Sequence, residues 1–428
     1  MELNPEKMPV WFRWFLVAIA CWALYWQGMG FLNSLKPKLP YEIMDFFQDY
    51  ASARNYLEGL PVYTNQAIAI ERYLGIKMDD NKQRYIIVNA HPPTSILLFI
   101  PITFLDYADA QLVWNLISLG LFIFTLWRIF RELSIRISLW MLPPFIIFLL
   151  TCSPLRQQLN EGQLNFLLLF ILVEVWIANR SERNYLAGGL IGIAASIKLF
   201  PGFMFLYFVL RRKWQSILSG IICFILLTWL TAGIFGPNVY SAYLKNVLPV
   251  VSMFRSNLIN SSIIGFWSKL FDTVPAEHIV PLTQSPILAR MASGLSCLTI
   301  IICLFLVGEG SKTKDDSDIL YSLFVIALLL LSPLTWEHAF LLLILPFIVI
   351  WKRVKEKKPV NMLFLFISGL LFLEKSLIWR LFYPEFRPET WQNVISNPVL
   401  KLTIFAYPFY ALVGFFVIGL MACKLDKS

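Results

Sequence analysis

Ten stretches of this chain are apolar over lengths that suit hydrocarbon better than water, and they constrain the fold more than any other feature. They cover residues 15–32, 112–130, 137–152, 164–178, 217–235, 287–307, 319–331, 339–351, 362–373 and 400–421. A helix standing perpendicular to a bilayer needs about 20 residues, so the shorter runs must extend into the polar letters beside them. Of the 428 residues, 58% are hydrophobic and 15% charged, with 36 Phe and 15 Trp, more than a soluble core of this size uses. The expected fold class is therefore an all-α polytopic membrane protein, one integral domain over residues 1–428. Residues 15–32 are long for a signal-peptide core and no small-residue cleavage site follows them, so they are expected to be a retained first helix.

The net charge of +9 does not point to nucleic acid, because the basic residues cluster between apolar runs: Arg128, Arg131 and Arg136; Arg211, Arg212 and Lys213; Lys352 to Lys358. That is the distribution of cytoplasmic loops. The six cysteines lie in or at the ends of apolar runs without paired spacing, which indicates neither a disulfide framework nor a metal site. Two apolar stretches are broken, residues 94–105 by Pro101 and residues 185–210 by Lys198 and Pro201. If both enter the membrane and return, all the strong basic clusters fall on one side. Irregular backbone at that depth is tolerated only where it lines a protein cavity. The opposite, outer face then receives a first external loop (33–92), residues 155–165, a second large external loop (236–285), residues 332–338 and residues 380–397.

Within the first loop, residues 41–63 carry Asp45 and Asp49, four apart and hence on one face of a helix. Residues 44–57 read as an amphipathic helix, with Phe46, Phe47, Tyr50 and Tyr56 able to lie on the membrane, and Glu58-Gly59 stops it. A solvated surface helix explains that pattern; so does a catalytic acid held at the membrane boundary. Other polar interruptions are expected on the same side. Gln163 and Asn165, at the start of an apolar run, suit a hydroxyl-rich ligand, whereas Asn160 equally suits a helix cap. Lys198 is a cation deep in an apolar hairpin, a functional candidate that an anionic phosphate would neutralise, with snorkelling as the alternative. Asn260 lies in a third interruption. Trp336, Glu337 and His338 fit sugar contacts better than a metal site, although a plain helix connection also accommodates them.

In order along the chain, these segments resemble the GT-C membrane glycosyltransferases, and glycosyltransferase family 87 in particular. The pattern is Asp45-Phe46, Tyr50, Ala51, Ala53-Arg54, Leu57, Gly59, Pro61 and Tyr63, then His91-Pro92-Pro93. Gly162-Gln163-Leu164-Asn165, Lys198 to Pro201, Asn260-Ser261-Ser262 and Ser332-Pro333 to Trp336-Glu337-His338 follow. His91 stands where the family pattern has tyrosine, and Ser261 where it has glutamine. The resemblance implies a GT-C fold of about ten to thirteen transmembrane or half-membrane helices. It implies transfer of a sugar, mannose or another hexose, from a polyprenyl-phosphate-linked donor to a glycan or glycolipid acceptor, with inversion. Asp45 would be the general base. Asp49, Tyr50, Arg54, His91, Gln163, Asn165, Lys198, Asn260, Trp336, Glu337 and His338 would bind substrate. No cofactor, metal or nucleic acid is expected; membrane lipids are. The expected location is a bacterial inner or plasma membrane, with the site facing outside. A lipid-linked sugar flippase and a non-catalytic scaffold of a polysaccharide assembly complex are the alternative functions.

Overall fold

The computed structural model describes residues 8–38, 43–77, 88–274, 279–310, 313–382, 384 and 397–424. Parts of both expected external loops (39–42, 78–87 and 275–278) and most of residues 380–397 therefore lie outside the described residues. Among those described, every regular element is helical.

Helix α1 (Val10–Leu35) shows the lipid-facing pattern most plainly: Trp11, Trp14, Trp22, Tyr25 and Trp26 are exposed, and only Ala20, Ala23, Ser34 and Leu35 are buried. The chain then forms α2 (Phe46–Leu57), α3 (Gln66–Leu74) and the single turn α4 (Pro93–Ile96) before the long α5 (Tyr107–Glu132). The aromatic side of α2 is turned into protein and not laid on a membrane. Phe46, Phe47 and Tyr50 are each about 1% exposed and pack with Tyr107 at ring-centroid distances of 6.0, 5.4 and 5.7 Å. Apolar periodicity cannot distinguish these two surroundings, because both are apolar.

The run expected at residues 137–152 ends in a bend. Helix α6 (Leu142–Thr151) turns by 59° into α7 (Ser153–Glu161), with Pro154 in the first turn of the second piece. Helix α7 ends on Gly162 at φ +60°, and α8 (Asn165–Arg180) follows. Next come α9 (Asn184–Ile197), a 3-10 segment Phe200–Met204 and α10 (Phe205–Leu210), so the helix does break at Lys198. Lys213 reaches the Asn179 carbonyl and Ser216 the Asn184 carbonyl, so this segment enters and leaves at the same end. Helix α11 (Trp214–Phe235) lies against α9 almost backbone to backbone. A Cβ on Gly188 would meet the Ser216 carbonyl oxygen at 1.9 Å, and one on Gly192 the Gly220 carbonyl oxygen at 2.3 Å. This is small-residue packing of the kind that joins helices in lipid.

The second half contributes α12 (Val239–Ala242), α13 (Leu248–Ser252), α14 (Ile263–Phe271), α15 (Pro286–Glu309) and α16 (Lys314–Leu331). Then follow α17 (Ile344–Val354), α18 (Lys358–Phe372), α19 (Lys375–Phe382), α20 (Pro398–Leu402) and α21 (Tyr407–Ala422). From Asp318 to Leu330, α16 is buried throughout, making it the central post of the bundle. Among the described residues, five runs are long and apolar enough to cross a membrane: α1, α5, α11, α15 and Val399–Ala422; the bent α6–α7 pair makes up to six. That supports a multi-pass membrane protein. The expected count of ten to thirteen segments is not established by these lengths.

Candidate active site

Four segments converge on Asp45. As the residue before α2, Asp45 could cap that helix, yet its side chain makes no capping bond. Its carboxylate instead accepts from Gln163 Nε2 at 2.7 Å on Oδ2 and from Gln48 Nε2 at 3.0 Å on Oδ1. Gln163 Oε1 in turn accepts from Lys198 Nζ at 2.9 Å. One amide therefore joins the first-loop acid to the lysine at the α9 break, and both of its ends have their roles fixed by their partners. The backbone N–H of Asp45 donates to Glu161 Oε2 at 3.2 Å, and that of Met44 to the Tyr107 hydroxyl at 3.0 Å. Burial raises the Asp45 pKa above the ordinary carboxylate value; His91, the Gln163 hydrogen bond and Lys198 act in the opposite direction.

Gly162 explains how α2 and α7 come so close. Its left-handed backbone ends α7, and a Cβ there would sit 2.6 Å from Phe46 Cβ. Trp114 Nε1 donates to the Gly162 carbonyl at 2.9 Å, holding the turn from the α5 side. Residues 45 and 163 can then meet across a turn that any larger residue would push open.

Asp49 lies one turn further along α2, about 1% exposed, and faces the turn before α4. His91 Nδ1 is 2.8 Å from Asp49 Oδ2, and Asn89 Nδ2 donates to Asp49 Oδ1 at 3.2 Å. With a carboxylate as partner, Nδ1 carries the proton. Gln48 ties this pair to the first acid, since its Oε1 accepts from the Ala90 N–H at 3.0 Å. The Tyr63 hydroxyl donates to the His91 carbonyl at 2.7 Å. Asp49 is thus a partner of His91 and a neighbour of Asp45.

A second arm of the site runs through Asn165, whose Nδ2 lies 2.9 Å from Gln158 Oε1 and 2.8 Å from His338 Nδ1. Gln158 also donates to the Gln163 carbonyl. Glu337 Oε2 accepts from Gln157 at 3.0 Å and pairs with Lys375 at 3.3 Å. The buried oxygens Asn165 Oδ1 and Glu337 Oε1 have no hydrogen-bond partner among the described residues. Trp336 stands half-buried immediately before Glu337. Among the described residues, no three His, Cys, Asp or Glu side chains converge as a metal-ligand set.

Three of the expected substrate-binding residues are placed otherwise. Tyr50 donates its hydroxyl to the Leu105 carbonyl at 2.9 Å from within the aromatic core. Arg54 points along α2 to Glu58, 3.7 Å away, and lies over the Tyr73 ring at 4.9 Å. Asn260 has its amide fully engaged: Nδ2 donates to the Arg255 and Pro333 carbonyls, each at 3.0 Å, and Oδ1 accepts from the Ser262 and Thr335 N–H groups. It clamps two loops together, helped by buried Lys269, which donates to the Asn260 carbonyl at 2.8 Å. Gln48, Asn89, Gln158 and Glu161, by contrast, join the site without having been expected there. Glu161 lay within a recognised polar interruption, whereas isolated neutral amides carry no such signal.

The chain is similar in sequence to known proteins. At 25% identity over 265 residues, the chain is similar to the polyprenol-phosphate-mannose-dependent alpha-(1-2)-phosphatidylinositol pentamannoside mannosyltransferase of Mycolicibacterium smegmatis, covering 59% of this chain and 58% of that protein. It is 24% identical over 294 residues to the protein of the same description from Mycobacterium tuberculosis, covering 65% and 62%. The chain thus spans about three fifths of the length of these two relatives. A longer but weaker match, 21% over 437 residues and 93% of this chain, is to the polyprenol-phosphate-mannose-dependent alpha-(1-2)-phosphatidylinositol mannoside mannosyltransferase of Mycolicibacterium smegmatis. No solved structure matches. The model of glycosyltransferase family 87 matches residues 89–333, more than half of the sequence, running from Asn89 beside Asp49 through Gln163 and Lys198 to the Pro333 carbonyl that Asn260 holds; the chain belongs to that family.

Proposed function

We propose that this protein is a membrane glycosyltransferase of GT-C type that moves a hexose, mannose by analogy with the relatives' names, from a polyprenyl-phosphate-linked donor to a glycan or glycolipid acceptor, with inversion. The observation that carries the reading is the Lys198–Gln163–Asp45 chain, which puts a cation and a base at the two ends of one amide. In this mechanism the Asp45 carboxylate takes the proton of the acceptor hydroxyl as that oxygen bonds to the anomeric carbon. The bond from that carbon to the phosphate oxygen breaks, and the electron pair leaves with the lipid phosphate, whose charge Lys198 faces. Asn165 Oδ1 and Glu337 Oε1 are acceptors that sugar hydroxyls would match. The phosphatidylinositol mannoside acceptors named for the relatives make a mannosylated glycolipid the first acceptor to test.

The decisive experiment compares wild type with Asp45→Asn, both purified in lipid discs, for transfer from a polyprenyl-phosphate-mannose donor. Asn keeps the shape but not the basicity, so the rate should fall roughly 10²–10⁴-fold, the usual contribution of a general base. Donor binding should persist. A near-normal rate in a folded Asp45→Asn protein would remove Asp45 as the base.

A further inference from the structure

A second polar site lies at the far end of the bundle. Helix α8 starts at Asn165 beside the Asp45 network and ends at Arg180, and at 1.5 Å per residue those ends are roughly 22 Å apart. Helix α9 begins at this far end and finishes at Lys198, while α16 begins here and finishes just before the segment bearing Glu337 and His338. Three helices therefore connect the two places.

Here a cavity of about 290 Å³ opens between the end of α8, the α10–α11 turn and the start of α16. Arg180, Arg211, Lys213 and Lys314 line it, against one lining carboxylate, Glu182. Arg180 is committed to structure: it pairs with Glu132 at 2.7 Å, binds Asp318 and lies over the Trp176 ring. Lys213 Nζ lies 3.1 Å from the exposed Glu182, Arg211 reaches Ser317 Oγ at 3.3 Å, and Lys314 projects into solvent. The start of α16 borders the same space, closed by the reciprocal Thr313–Asp316 cap and carrying Asp315 and Asp316 in its first turn. Asn179 borders the cavity, with its Nδ2 donating to the Tyr207 hydroxyl at 2.8 Å. An occupant should therefore offer an anion to the cations.

We propose that this cavity binds a phosphate ester, chemistry shared by a phosphatidylglycerol headgroup and a soluble glycerol phosphate. A basic recess between helices at the positively charged end of a membrane protein is suited to an anionic headgroup. The occupant is separate from the transfer reaction at the Asp45 end.

The test uses the full chain in phosphatidylcholine discs, read by thermal stability and by native mass spectrometry. One arm replaces part of the phosphatidylcholine with phosphatidylglycerol; the other adds glycerol 3-phosphate to phosphatidylcholine discs. Either should stabilise the wild type, and the arm that does so names the source. Lys213→Gln/Lys314→Gln, which spares the Arg180 pairs, should weaken binding roughly tenfold or more. The surface pair Lys355→Gln/Lys358→Gln, at the same end but outside the cavity, should bind as the wild type does, and so should Asp45→Asn. Stabilisation by neither probe overturns the proposal, as does equal weakening in the two double variants, which would indicate surface charge alone. If the cavity pair fails to fold, Arg211→Gln answers the same question.

Discussion

The chemistry at Asp45 turns on two opposed influences on one carboxylate. Burial raises its pKa, and His91, the Gln163 amide and Lys198 act in the opposite direction. A base must be ionised to work, so the rate should fall as pH drops through this raised pKa, with the acidic limb of kcat/KM above the ordinary aspartate range. Lys198→Met removes a cation that favours ionisation, so the limb should move to still higher pH and donor use should weaken. A limb that stays in place while donor KM rises would confine Lys198 to phosphate binding. Asp49 gives a different expectation, because it reaches the site through His91. Asp49→Asn should cost less than Asp45→Asn, and Asp49→Asn and His91→Gln should be non-additive when combined. Additive losses, measured as transfer rates across the double-mutant cycle, would break that link. Asp45, Gln163 and Lys198 were legible in the sequence because each is a polar letter interrupting apolar ones. Gln48 and Asn89 were not, since a single neutral amide looks the same whether it bridges two acids or faces water.

At the level of elements, the site exists because a turn is tight. The left-handed Gly162 allows Phe46 to sit where a side chain would otherwise be, and Phe46 begins the helix that Asp45 precedes. Gly162→Ala adds both left-handed strain and a 2.6 Å contact, so a loss of about 1–3 kcal/mol is expected. Activity should fall further than stability explains, because the Asp45–Gln163 bond lies directly beside the displaced contact. Measurement of both Tm and transfer rate separates the two effects; a variant with lower Tm and an unchanged rate at a temperature where it is folded would show that the turn does not position the base. In the sequence this glycine was a letter of the Gly162-Gln163-Leu164-Asn165 motif, which does not show what packs against it. For α2 it had the amphipathic pattern right and the surroundings wrong. The partners of an apolar face come from long-range packing, and the periodicity of a single helix holds no information about them.

For the whole molecule, the apolar runs disclosed an all-helical membrane protein and the interruptions disclosed where it is irregular, but they could not fix how often it crosses. Short runs such as residues 339–351 turn out to be half 3-10 segment and half helix (Glu337–Leu343 and Ile344–Val354), and length alone does not assign such pieces to a leaflet. The arrangement of the two polar ends supplies a stronger constraint. Asn165 and Arg180 occupy opposite ends of α8, with the Asp45 network at one and the basic cavity at the other, so the two ends should face opposite sides of the membrane. The Lys/Arg excess predicts that the cavity end is cytoplasmic and that the Asp45 end faces outside. Single cysteines at the exposed positions Glu58, at the end of the helix that Asp45 precedes, and Arg212, near the cavity, would report this in a background without the native cysteines. An impermeant thiol reagent applied to intact cells should label Glu58→Cys alone, and Arg212→Cys only after the membrane is opened. Labelling of both from outside would contradict a bundle that spans between the two sites, whereas labelling of Arg212→Cys alone would keep the bundle and invert it, placing the proposed transfer reaction on the cytoplasmic face.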